Sequence, residues 1–254
     1  MKRLRRIIAL LAALFLLPAL ASAAYWSVKD RPTSWHSANW SSAGVLPFDP
    51  DPSSTEVLIM SARTGGIKGA LSVHSWLVLK REGASEYERY DVVGWGRPVR
   101  KNAYAADARW YSNPPQIIFR ITGQMAQRAI PGIDRAIANY PASRRGDYVI
   151  WPGPNSNTFV AHIIRSVPEL ATQLPPTAIG KDYLLGSNWI FADNRRWLIK
   201  LSASGYAGLT LGLREGFEAH ILGLVVGIDW FNLQIKLPGI GSFPNWSGEP
   251  SPTT

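Results

Sequence analysis

Three side chains have the types that acyl transfer requires: a histidine in an apolar run, a serine at the head of an amphipathic stretch, and an aspartate in a second apolar run. His74 lies in Val73 to Lys80 (VHSWLVLK), apolar on both faces and so read as an inner strand. Alternation puts His74, Trp76 and Val78 on one face and Val73, Ser75, Leu77 and Leu79 on the other. Ser156 lies in Trp151 to Ile164 (WPGPNSNTFVAHII). On a helical wheel Phe159, Val160, Ile163, Ile164 and Val167 form one stripe with Ser156 at its head, while Thr158, His162 and Arg165 fall opposite. A hydroxyl there meets free N–H groups and the positive end of the helix dipole, which favour developing negative charge. A serine still needs a general base, and His74 is the candidate because His162 faces away from the stripe. Asp91, polar within an apolar strand beside His74, is the candidate orienting residue. Trp76, on the His74 face, and Asn155 and Asn157, flanking Ser156, are the candidate substrate contacts. Each also has a plainer role. A helix-head serine commonly caps the helix, a strand histidine is commonly a hydrogen-bonded core residue, and Asp91 suits an ordinary ion pair.

The elements that must position these residues follow from pattern and punctuation. Val57 to Ser61 reads as a strand, with a turn at Arg63 to Gly66. Tyr87 to Trp95 reads as a strand antiparallel to the one bearing His74, joined through the polar turn at Arg81 to Ser85. Gly96 to Pro115 reads as a long polar loop, Gln116 to Thr122 as a strand, and Gln124 to Tyr140 as a helix that Pro131 starts or kinks. A short strand is expected to end at Trp151, before the Pro152-Gly153-Pro154 break. A helix is expected from about Asn155 to Val167, stopped by Pro168. Trp197 to Leu237 alternates between glycines and reads as a meander of three or four antiparallel strands. The expected fold class is α+β, an antiparallel sheet with packed helices plus a C-terminal β-meander. The expected units are a signal peptide (1–23), an irregular arm rich in Trp, Ser and Pro (24–56), the α+β core (57–190), the meander (191–240) and a loose tail (241–254).

Composition narrows the function. The 254 residues include no cysteine, which removes disulfides, zinc–thiolate sites and a thiol nucleophile together. The four histidines lack the spacing of a metal site, and no phosphate loop or dinucleotide fingerprint occurs, so no metal or cofactor is expected. Met1 to Arg6 is basic, Ile7 to Leu20 apolar, and Ala21-Ser22-Ala23 a small-x-small triplet, together the pattern of a secretory signal. The location read from this is periplasmic or secreted, or else anchored to the inner membrane by an uncleaved signal, which would then be the only membrane contact. The formal charge is +9, and without Lys2, Arg3, Arg5 and Arg6 it is +5. That excess suits an anionic cell-envelope polymer or lipid, with a peptide as a third candidate, and export argues against nucleic acid. The Asp107/Arg109 and Lys181/Asp182 pairs in loops read equally well as ordinary ion pairs.

The blocks VHSWLVLK, YDVVGWG, WPGPNSNTFVAHIIR and LPPTAIGKDYLL resemble those of an uncharacterised family of exported bacterial proteins, a domain of unknown function, over roughly Val57 to Gly241. A second resemblance is to circularly permuted papain-like proteins, the NlpC-like and lecithin:retinol acyltransferase-like groups. There a strand His-x-Trp precedes an Asn-nucleophile-x-x-Phe-Val helix start. It implies a papain-like plan in which His74 matches the histidine and Ser156 the cysteine. The nucleophile departs from that pattern, since those groups use a thiol. Two readings follow. One is a hydrolase or acyltransferase on a peptide, amide or ester bond. The other is a catalytically inactive relative that binds a cell-wall or lipid ligand in the same groove.

Overall fold

Two of the apolar runs, EVLIMSAR and VHSWLVLK, have almost no polar face to offer water, and the fold buries both sides of each. A computed structural model describes residues 2–186 and 188–244, without the Ile7 side chain. The two runs are β1 (Glu56–Arg63) and β2 (Val73–Lys80), the central strands of a five-stranded antiparallel sheet. The others are β3 (Tyr87–Val92), β4 (Val99–Lys101) and β5 (Gln116–Thr122), in the order β4-β3-β2-β1-β5.

Pleating sorts the side chains of this sheet into two cores. On one face Val57, Ile59, Val73, Leu77 and Leu79 pack under α2 (Gly123–Ala138) and α3 (Ser156–Ser166), against Ile133, Phe159, Val160 and Ile163. On the other, Leu58, Met60, Ala62, Trp76 and Val78 pack with Leu46, Val93 and Trp110, with the half-buried Trp40, Tyr104 and Tyr111 around them. The aromatic arm and the long loop are therefore the second core's lid. That loop also contains β4, paired through Val92 and Val99. The expected strand ending at Trp151 does not form. Pro152 and Pro154 lack ladder donors, and the Val149 N–H bonds back to Pro154 O instead (2.8 Å). α2 runs through Pro131 without ending.

The meander is larger than the alternation implied. Seven strands replace the expected three or four: β6 (Ile190–Asp193), β7 (Leu198–Ala203), β8 (Ala207–Gly212), β9 (Gly216–Ile221), β10 (Leu224–Asp229), β11 (Gln234–Leu237) and β12 (Gly241–Phe243). Each pairs only with its chain neighbours. β12 claims the start of the expected loose tail, and positions 245–254 lie outside the described residues.

The N-terminal apolar segment is one helix, α1 (Lys2–Ser27), long and apolar enough to cross a membrane. Its C-terminal half docks on the domain through Phe15, Ala19 and Trp26 and reaches β10, β11 and the short 3-10 turn at Gly66–Ala70. Ser22 Oγ–H lies within bonding distance of Ala70 O (2.6 Å) and Gly239 O (3.0 Å), and Trp26 Nε1–H donates to Gly66 O (2.9 Å). The triplet expected at a cleavage site is thus helical and seated against the fold.

Candidate functional site

His74 and Asp91 come together as their strands require. β2 and β3 are adjacent, both side chains lie on the lid face, and His74 Nε2 is 3.7 Å from Asp91 Oδ2. That is longer than a hydrogen bond. The closer partner of Asp91 is Arg89, whose Nη2 and Nε lie 2.9 and 3.2 Å from the same oxygen. Arg89 is fully buried, with its guanidinium 4.1 Å from the Trp76 ring centre and Nη1 donating to Ala105 O. Asp91 thus serves first as the counterion of a buried arginine. Burial pushes its carboxyl up, and His74 and Arg89 outweigh that, leaving it below the usual carboxylate range. Burial also lowers His74 below its ordinary value, against the raising effect of Asp91, so its imidazole is neutral at pH 7. The ring stacks on Trp110 at 3.7 Å and 4°, and its Nε2 is buried without a hydrogen-bond partner. Trp76 is wholly buried, and its Nε1–H donates to Ala106 O.

Ser156 is the first residue of α3, as expected, but it is not the cap. That role belongs to Asn155, whose side-chain oxygen accepts from the N–H groups of Asn157 (2.9 Å) and Thr158 (3.1 Å). Thr158 Oγ1 accepts from the Asn155 N–H in return, which completes a capping box. Thr158 is therefore fully buried and not on an outer face. The Asn155 amide also donates to Ile150 O and Ile179 O, and the Asn157 amide to Val73 O and Ile179 O. Gly180 is required beside them, because its φ is +99° and a Cβ there would lie 2.3 Å from the Asn155 amide nitrogen. Asn155 and Asn157, expected to touch substrate, spend their polar atoms tying the helix head to β2 and to the 179–180 turn.

The structure does not bring His74 and Ser156 together. α3 packs on the face of β2 that carries Val73 and Leu77, whereas His74 points to the Trp76 and Trp110 side. No hydrogen bond joins the two among the described residues. The β2 side chain on the α3 face at this level is Ser75, fully buried with its hydroxyl unpartnered. The physical reason is the two-residue period of the strand. A histidine one position off the helix-facing set is on the far side of the sheet.

Two other clusters stand out. The inner face of the seven-stranded sheet carries a cross-strand row, Lys200↔Thr210↔Glu218, continued across Gly227 to Lys236. It meets Lys181 and Asp182. Glu218 pairs with Lys181 and with Lys236 (2.7 Å), and Asp182 pairs with Lys200 (2.5 Å). Burial pushes Glu218 up, but the Lys181 and Lys236 charges hold it at about 2. The same balance keeps Asp182 far below its usual range. A small cavity of about 50 Å³ adjoins them, lined in part by Arg165, Thr210 and Glu215. The Lys181/Asp182 pair is thus buried and part of a larger network. Its strand members sit at alternate positions in LIKLSA, AGLTLG, GFEAHI and QIKL, a visible signal that does not say which face is inside. The second cluster is an open cleft of about 660 Å³ lined by Gly96, Arg97, Val99, Ser143, Arg144 and Arg145. No group of three or more His, Cys, Asp or Glu residues fit to hold a metal occurs among the described residues.

Residues 54–183 match a family model described as a protein of unknown function (DUF3750). The chain belongs to this family. The matched region holds the five-stranded sheet, α2, α3 and the Lys181/Asp182 pair. It ends before the seven-stranded sheet and so is narrower than the Val57 to Gly241 span of the sequence resemblance. No curated protein and no solved structure matches the chain.

Proposed function

We propose that this DUF3750 protein is a membrane-tethered envelope protein that binds an anionic cell-wall ligand and is not an acyl-transfer enzyme. The observation that carries this is that α3, headed by Ser156, packs on the Val73 and Leu77 face of β2, whereas the His74 ring stacks on Trp110 at the other face. A general base must reach the proton it abstracts, about 2.6–3.2 Å away or through one water, and a strand separates these groups. The tether is supported by α1, whose Ser22 is bonded to the domain within the expected cleavage triplet. The ligand class is supported by the cleft lined by Arg97, Arg144 and Arg145, since guanidinium groups pair bidentately with carboxylates.

The test uses full-length protein in detergent. A serine-directed phosphonate should leave Ser156 unlabelled, and a disaccharide-peptide fragment of peptidoglycan should bind. Doubly substituted R144A/R145A protein should bind it at least about tenfold more weakly, the effect of losing roughly 1.4 kcal/mol. Phosphonate labelling of Ser156 that disappears in His74→Ala would establish the hydrolase or acyltransferase instead. Equal binding by the double variant would remove the cleft from the proposal.

A further inference from the structure

The seven-stranded sheet is inverted. Its polar and charged side chains face inward, and the opposite face is aliphatic and aromatic. Ile199, Leu211, Phe217, Ile228, Ile235 and Phe243 pair across six successive strands in one unbroken row. All six are exposed, with Leu211 54% and Ile228 55% accessible. A second row, Leu201↔Leu209↔Ala219↔Val226, runs beside it. Seven strands about 4.8 Å apart and about 20 Å long present roughly 600 Å² of flat face. That is at the limit of what soluble monomers leave exposed.

We infer that this face is a bilayer-contact surface, and that the occupant is the lipid of the membrane that α1 enters. The inference rests on the tether reading for its geometry. Three observations point to lipid. First, α1 has the length and apolar character of a membrane span and packs on β10 and β11 of this same sheet, so the sheet lies beside the helix and not at the far side of the domain. Second, the turns at one end, between β6 and β7 and between β10 and β11, present Trp197, Trp230 and Phe231, all exposed. Aromatic rings of this kind settle at the level of lipid headgroups. Third, Arg195 and Arg214 are exposed in turns at that same end, where they complement anionic headgroups. The inward polar row makes the inversion tolerable, because Lys200, Glu218 and Lys236 are paired within the protein and none faces the lipid side. The sheet thus presents an apolar face to lipid, as the wall of a membrane barrel does, while its other face is closed by the family domain.

The chain has no cysteine, so single substitutions report without a background. Full-length protein carrying Leu211→Cys, Ile228→Cys, Leu11→Cys or Glu86→Cys would be nitroxide-labelled. It would then be placed in vesicles of phosphatidylethanolamine and phosphatidylglycerol. Collision with oxygen and with a water-soluble nickel chelate reads the surroundings. Positions 211 and 228 should favour oxygen several-fold over the exposed Glu86 site, as position 11 does. Chelate access at 211 and 228 equal to that at 86 overturns the inference. So does spin–spin broadening at 211 that unlabelled protein dilutes away, since a second copy would then cover the face. Position 11 separates the two failures. Lipid exposure at 11 with water at 211 leaves the tether standing without the sheet contact, and water at 11 removes the tether itself.

Discussion

The five-stranded and seven-stranded sheets both pair neighbouring strands antiparallel, yet they hide opposite kinds of side chain. In the first, β1 and β2 bury apolar groups on both faces, and among the buried polar side chains His74 stacks on Trp110 while Arg89 of β3 pairs with Asp91. In the second, the buried face is the charged one and the aliphatic face is open. The difference teaches that alternation marks a strand but not its inside. What lies against each face decides, and here α2, α3 and the aromatic lid cover one sheet while the family domain covers the polar side of the other.

The largest expected effect falls on the polar face. Glu218→Gln leaves Lys181 and Lys236 buried against a neutral amide, and the loss should be about 3–5 kcal/mol in urea unfolding at pH 7. A loss below about 1 kcal/mol would mean that the network is looser than its geometry. The same carboxylate sets an acid limb. Its folded pKa of about 2 lies below the ordinary glutamate value of 4.5, so its contribution is whole above about pH 4.5 and is lost as pH falls toward 2. His74 and His220 are also lowered by burial, from 6.5. Protonation then favours the unfolded chain, and stability begins to fall below about pH 6.5. The thermal midpoint, followed by circular dichroism, should therefore decline steadily on acidification, and Glu218→Gln should flatten the part below pH 4.5.

A core deletion in the first sheet comes next. Leu77→Ala removes a wholly buried side chain and should cost about 2–5 kcal/mol. Its counterpart closes the comparison: Leu211→Ala in detergent should shift stability by no more than about 0.5 kcal/mol, because its site is already open. Equal losses at the two positions would show that something within the protein covers the outer face. Between these lies the helix head. Asn155→Ala should cost about 0.5–2 kcal/mol, whereas Ser156→Ala loses no cap, since Asn155 is the residue that accepts the N–H groups of Asn157 and Thr158. Chemical denaturation of the two variants side by side measures the contrast.

Much was legible from residue pattern alone. VHSWLVLK and QIIFRIT form strands with the expected limits, and the strand bearing Asp91 does lie beside the one bearing His74. The helix after Pro152-Gly153-Pro154 begins at Ser156, because Asn155 and Thr158 make a local capping box. Periodicity, caps and breakers act over a few residues, so the chain itself determined these elements and the α+β class. The apolar N-terminal helix is equally local. The pairing of active groups was not. His74 and Ser156 are 82 positions apart, and whether they meet depends on which face of β2 receives α3, a matter of packing that reverses with a shift of one residue. The seven-stranded sheet shows the same limit. Its alternation is plain in LIKLSA and GFEAHI, but two faces of one alternating strand are equivalent until another surface buries one of them. Only the tertiary structure, by seating Lys181 and Asp182 against Lys200, Glu218 and Lys236, decided that the charged face would be the inner one, because a buried charge is held where its partners already are.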